Sequence, residues 1–161
     1  MSWLESLQAL PLSAWVAESD WGYPLLLSLH ALGMATVVGL LLVLGCRVLG
    51  LAPAIPVTAL RRFMPYAWAG FALNLASGVL LFASNAVRLA TNWPFLVKLL
   101  AIVCGAIASW RLWRELGSTA AEPTITPAAR GVAALSLLVW LVAITCGRLI
   151  AYVLDHAILG G

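Results

Sequence analysis

The stretch Tyr23–Leu49, YPLLLSLHALGMATVVGLLLVLGCRVL, constrains this chain more than any other. From Pro24 to Cys46 it runs for 23 residues without an Asp, Glu, Lys or Arg. A helix of that length rises about 34 Å, enough to cross the roughly 30 Å hydrocarbon core of a bilayer. One imidazole, His30, interrupts it about two turns in. An ionisable group at that depth costs about 3 kcal/mol unless something partners it, so His30 is the first candidate functional residue.

The remaining sequence repeats the pattern. The chain is 63% hydrophobic and 9% charged, whereas a soluble domain carries about 25% charged residues. An all-α integral membrane four-helix bundle is predicted, one domain over residues 1–161, with spans at about 23–49, 58–87, 93–116 and 127–158. Residues 1–22 set Trp3, Trp15 and Trp21 beside Glu5, Glu18 and Asp20, and Pro11 breaks them into short apolar pieces. That composition suits a segment lying in the membrane interface. It lacks the basic start and unbroken apolar run of a cleaved signal peptide. Cys46, Cys104 and Cys146 are odd in number and far apart, which fits buried small hydrophobes better than disulfides or zinc.

Two strips of small residues recur every four positions, Gly70/Asn74/Gly78 in the second span and Ala101/Gly105/Ser109 in the third. Each lets another backbone, or a flat ligand, come close. Pro65 either kinks the second span or marks where the chain enters the bilayer. Asn92 and Pro94 read as the cap and first turn of the third span.

Basic residues set the orientation. Arg47, Arg61 and Arg62 fall in the first loop and Arg111, Arg114 and Arg130 around the third, six of nine Lys and Arg. The positive-inside rule then predicts both termini outward, on the periplasmic face of a bacterial inner membrane. The net charge of +3 therefore reflects topology and implies no affinity for nucleic acid.

With that topology, His30, Arg88, Lys98, Arg148, Tyr152, Asp155 and His156 all fall in the outer half, which predicts one polar pocket opening outward. Three chemistries fit it. A membrane imidazole is an axial ligand for haem b, small-residue strips make room for a macrocycle, and Lys or Arg can pair with its propionates. With two histidines in the chain, a doubly ligated haem has to use His30 and His156, although their depths differ. Alternatively, His30 and Met34 supply half of a Cu(I) site. The third reading is structural: His30 bonds a neighbouring helix, Lys98 snorkels and Arg148 pairs with Asp155. No nucleophilic triad, phosphate loop or HExxH motif is present.

Three segments carry a resemblance: LHALGMATVVGLLLVLGCRVL, LRRFMPYAWAGFALNLASGVLLF and NWPFLVKLLAI. Their order is similar to that of the HemJ-type protoporphyrinogen oxidases and CopD-like copper-resistance domains. It also resembles a bacterial family of short four-helix membrane proteins with no established activity. The matching positions are His30, Arg47, Gly78, and Trp93 with Lys98. The resemblance implies a haem b site with His30 as ligand and Lys98 as a propionate or substrate partner. This chain lacks a further His soon after the first span and carries Asp155-His156 at the end of the last. The expected function is thus a small haem-b-binding membrane protein, exchanging electrons with a quinone or a periplasmic redox protein. His30 is the axial ligand in that reading and His156 the candidate second one. Lys98, Arg88 and Arg148 neutralise the propionates, and Asn74 lines the pocket. The alternatives are a cofactor-free accessory subunit of a larger membrane complex, or a homo-oligomer of that kind, and a copper-handling protein.

Overall fold

The computed structural model describes the backbone of residues 2–116 and 122–159 and the side chains of residues 3–116 and 122–153. Its elements are helices: α1 (Ser2–Gln8), α2 (Pro11–Glu18), α3 (Gly22–Leu49), α4 (Val57–Arg61), α5 (Met64–Ser84), α6 (Ala86–Ala90), α7 (Trp93–Glu115) and α8 (Pro127–Leu159). Four are long and apolar enough to span a bilayer: Gly22–Leu49, Met64–Ser84, Trp93–Glu115 and, within α8, Pro127–Val153. The protein is a multi-pass, all-α membrane bundle.

The second span differs from the single helix expected over 58–87. Pro65 has no N–H to continue a helix, so the chain turns at Arg62–Phe63 and restarts with the proline in the first turn of α5. Asn85, at φ −137° and ψ 35°, ends α5 and starts α6. Asn92 caps α7 as expected, its side chain accepting from Phe95 N at 3.1 Å. Gly50 closes α3 at φ +87°, a left-handed conformation that glycine adopts without steric cost.

Neighbouring spans run in the order α5, α3, α8, α7. Close backbone approach sets the α3–α5 contact. A Cβ on Gly33 would lie 2.7 Å from Asn74 N and 2.8 Å from Gly70 O. On α8, Trp140 lies against Gly105, where a Cβ would be 3.0 Å from the indole, and Leu137 presses on Gly45 of α3 at 2.9 Å by the same measure. Ser109 and Ser136 hydroxyls meet at 3.1 Å across α7 and α8. Both small-residue strips are therefore helix-packing surfaces, as the sequence suggested.

α1 and α2 fold against the bundle. Gln8 donates to Ser84 O at 3.3 Å and accepts from Val87 N at 3.4 Å, covering the α5–α6 break. Ser13 and Val16 are buried, while Trp3, Trp15 and Trp21 stay exposed. Among the cysteines Cys146 is buried, Cys46 is half-buried and Cys104 is exposed. The expectation of burial thus holds fully for Cys146 alone, because Cys104 lies on the outer side of α7.

At the opposite, basic end, Leu44, Val48, Val57, Leu112, Leu116, Ala129 and Ala133 form a compact apolar cluster. Glu122 ties two loops together over it. Its carboxylate accepts from Val57 N at 2.8 Å, pairs with Arg47 at 3.0 Å and reaches the Thr58 hydroxyl at 3.4 Å. The Val57 N–H, followed by Thr58 and Arg47, holds this carboxyl below its usual range despite its exposure. A depressed carboxylate stabilises the fold above its unfolded pKa, and that contribution disappears as pH falls through the lower folded value. Wild-type melting temperature in detergent should therefore drop on acidification below about pH 4.3. Glu122→Gln should melt lower at neutral pH and lose part of that acid dependence.

The α3–α5 approach generates a second prediction. Gly33→Ala should destabilise the protein by about 1–3 kcal/mol, since the methyl meets backbone that cannot move aside. Gly39→Ala, on the same helix with nothing within 4 Å of its Cβ, should be neutral or stabilising by up to about 1 kcal/mol. Denaturation of both variants in one detergent checks the contrast.

Candidate functional site

His30 lies eight residues into α3, about 12 Å along the helix from Gly22. It stands one turn from Gly33, so it shares the face that α5 approaches most closely. Its Nδ1 is 3.0 Å from the carbonyl oxygen of Asn74 and 3.1 Å from the hydroxyl of Ser77. The Ser77 hydroxyl donates to Leu73 O at 2.6 Å, which leaves its lone pairs to accept. Both partners therefore require Nδ1–H as the donor, and the lone pair sits on Nε2. Asn74 completes the clamp, its side-chain amide donating to the His30 backbone carbonyl at 2.9 Å.

Lys98 comes from the second turn of α7 and reaches across the bundle. Its Nζ is 3.4 Å from His30 Nε2 and donates to that lone pair. No carboxylate among the described residues pairs with it. Two glycines flank the pair. A Cβ on Gly78 would lie 3.1 Å from His30 Cε1, and one on Gly147 would lie 3.7 Å from Lys98 Nζ. Three spans thus contact the imidazole and its partner, and α8 leaves room for the lysine.

The structure brings together three of the residues singled out by sequence: His30, Asn74 and Lys98. It adds Ser77, whose signal was its i+3 spacing from Asn74 on the same face. Arg88 sits on α6 with its side chain exposed, as does Arg148 on α8, one position beyond Gly147. Neither points into the cluster at His30. The backbone of His156 lies in the last turn of α8, and its side chain, like that of Asp155, lies outside the described residues.

The sequence led to the expectation of an outward polar pocket. What stands there is a hydrogen-bonded polar cluster, and the two clefts described lie in the basic half of the bundle and are lined by apolar side chains. No group of three His, Cys, Asp or Glu forms a metal site among the described residues.

Chemically the cluster offers one fixed imidazole lone pair and one ammonium, with no counter-charge. An Nδ1–H anchored on a backbone carbonyl is the arrangement that orients a histidine for metal ligation and raises its basicity. No protein family, curated protein or solved structure matches the chain.

If Lys98 donates to Nε2, the two side chains are energetically coupled. A double-mutant cycle with His30→Ala and Lys98→Met should give a coupling of about 0.6–1.7 kcal/mol, from the average to the largest value for hydrogen bonds between membrane helices. A cycle closing to zero would place the two groups in separate environments.

Proposed function

We propose that the His30–Lys98 cluster binds a ligand combining a metal centre with carboxylates, and that this ligand is haem b. The observation supporting this most is the pairing of Nδ1 with Asn74 O and Ser77, which puts the ring's lone pair on Nε2, where Lys98 is its partner. The second support is the ammonium of Lys98, half-buried within a membrane span and without a carboxylate among the described residues. An unneutralised cation there is costly, and an anionic ligand removes that cost.

The residues fit the group in kind. His30 would supply a nitrogen ligand and Lys98 would turn on its flexible stem from Nε2 to a propionate, while the absence of side chains at Gly78 and Gly147 leaves both groups room. Bound haem supplies one-electron redox chemistry. Asn74 and Ser77 fix the imidazole, and the likeness to the HemJ-type and CopD-like proteins points the same way. In this reading the protein passes electrons between a quinone and a redox partner on the outer face of a bacterial inner membrane, with both termini outward. Arg88 and Arg148 would act at the rim of the site, since their side chains are exposed.

One observation favours the rival reading of a cofactor-free accessory subunit. Lys98 already donates to Nε2 at 3.4 Å, which satisfies the ring without a ligand. Visible spectroscopy separates the two. Protein purified from haem-replete cells should show a reduced-minus-oxidised α band of b type, and acid extraction should release the pigment. His30→Ala should abolish the band, and Lys98→Met should weaken retention of the pigment while leaving a band. A colourless, folded wild type would overturn the haem reading in favour of the accessory subunit.

A further inference from the structure

The four spans do not close into a ring. α5 and α7 have no extended interface; they meet near the end bearing the termini through the Phe82 and Phe95 rings, stacked with centroids 5.4 Å apart. At the basic end Arg61 donates to the Leu116 carbonyl and ties α4 to the end of α7. Between these two ties the helices part around an open cleft of about 110 Å³. Trp68 and Phe71 of α5 wall one side, Trp110 and Trp113 of α7 the other, with Leu41 and Trp140 behind. A small recess of about 20 Å³ shares Leu41 and Trp113 with it and continues to Leu60 and Phe63 at the basic end.

The lining decides what class of molecule belongs there. Ser109 is its polar residue, and the hydroxyl is already engaged, donating to Gly105 O at 2.7 Å and accepting from Trp140 Nε1 at 3.3 Å. Apart from the indole N–H groups of Trp68, Trp110 and Trp113 the walls are carbon, so they offer water or a polar headgroup no acceptor beyond that engaged hydroxyl. An apolar chain needs none, and the mouth faces the bilayer: Trp68 is 60% and Trp110 is 52% exposed. The basic end of the cleft selects charge. Arg114 stands with its guanidinium carbon 4.8 Å from the Trp110 ring, and Arg62 directly precedes Phe63. Both arginines are exposed and neither pairs with a described carboxylate. Of the nearby acids, Glu122 is engaged by Arg47, and Glu115 next to Arg114 is outnumbered by Arg62, Arg111 and Arg114.

We propose that this cleft holds one acyl chain of an anionic phospholipid, whose phosphate pairs with Arg62 and Arg114. The apolar walls take the chain, and the arginines at the basic end distinguish an anionic headgroup from a zwitterionic one. The assignment is independent of any ligand at His30, which lies in the other half of the bundle.

The test uses the full chain, purified in mild detergent and also placed in nanodiscs. Native mass spectrometry should find about one phosphatidylglycerol-class lipid retained per chain, enriched over the bulk membrane. Brominated phosphatidylglycerol should quench tryptophan fluorescence more than brominated phosphatidylcholine at equal content. Arg62→Gln and Arg114→Gln should each weaken the anionic preference about fivefold, the factor that one cation near the surface contributes. Ala67→Phe fills the cleft with the arginines intact and should expel the lipid outright. Retained lipid of bulk composition, unchanged in all three variants, would mean annular lipid only and overturn the proposal. A stable dimer that excludes lipid from these tryptophans would overturn it as well, by assigning the cleft to a second copy.

Discussion

The close passage of α3 over α5 at Gly33 and Gly70 is the contact on which the rest of the structure depends. Without a Cβ at Gly33 the two backbones come near enough that Asn74 N and Gly70 O lie within the radius a methyl would occupy. One turn away on the same face, that closeness puts the Asn74 carbonyl at hydrogen-bonding distance from the His30 ring. A wider crossing would leave the imidazole N–H unmatched inside the membrane, where water cannot serve it. The same contact that packs two helices therefore fixes the tautomer on which the site's chemistry turns.

The two halves of the bundle use different means to satisfy the bilayer. In the half bearing the termini, His30, Asn74, Ser77 and Lys98 form a polar cluster linked across three helices, with Gln8, Ser84 and Asn92 serving the helix ends beyond it. The basic half has little buried polarity beyond the Ser109–Ser136–Trp140 contact, and instead packs Leu44, Val48 and Leu112 tightly beneath loops held by Glu122. Between that core and the surface, the parted α5 and α7 leave apolar volume for a lipid to fill.

Much of this was legible in the sequence, because the bilayer is a severe solvent. Uncharged runs of about 20 residues have one stable form there, so the four spans could be read directly. Small residues four apart could be read as contact faces, and Gly70, Gly78 and Gly105 are such. Pro65 marked the restart of the second span, but the Asn85 break was harder, since a membrane-length apolar pattern does not reveal where a helix ends. Arg88 and Arg148 were assigned to the cluster by depth alone. Depth follows from counting residues, but the direction in which a side chain leaves its helix follows from rotation about the axis, and both point outward.

By itself, the sequence determined that the chain is a multi-spanning helical membrane protein with its basic residues gathered at one end and an imidazole buried near the other. Hydrophobic length and charge distribution act locally, so no knowledge of neighbours is needed to read them. Only the tertiary structure decided that Lys98 meets His30 rather than snorkelling away, that Ser77 joins them, and that α5 and α7 stay apart. Those outcomes depend on which helices become neighbours and how closely their backbones approach. Glycine contacts between distant segments set both, and no local stretch of sequence encodes them.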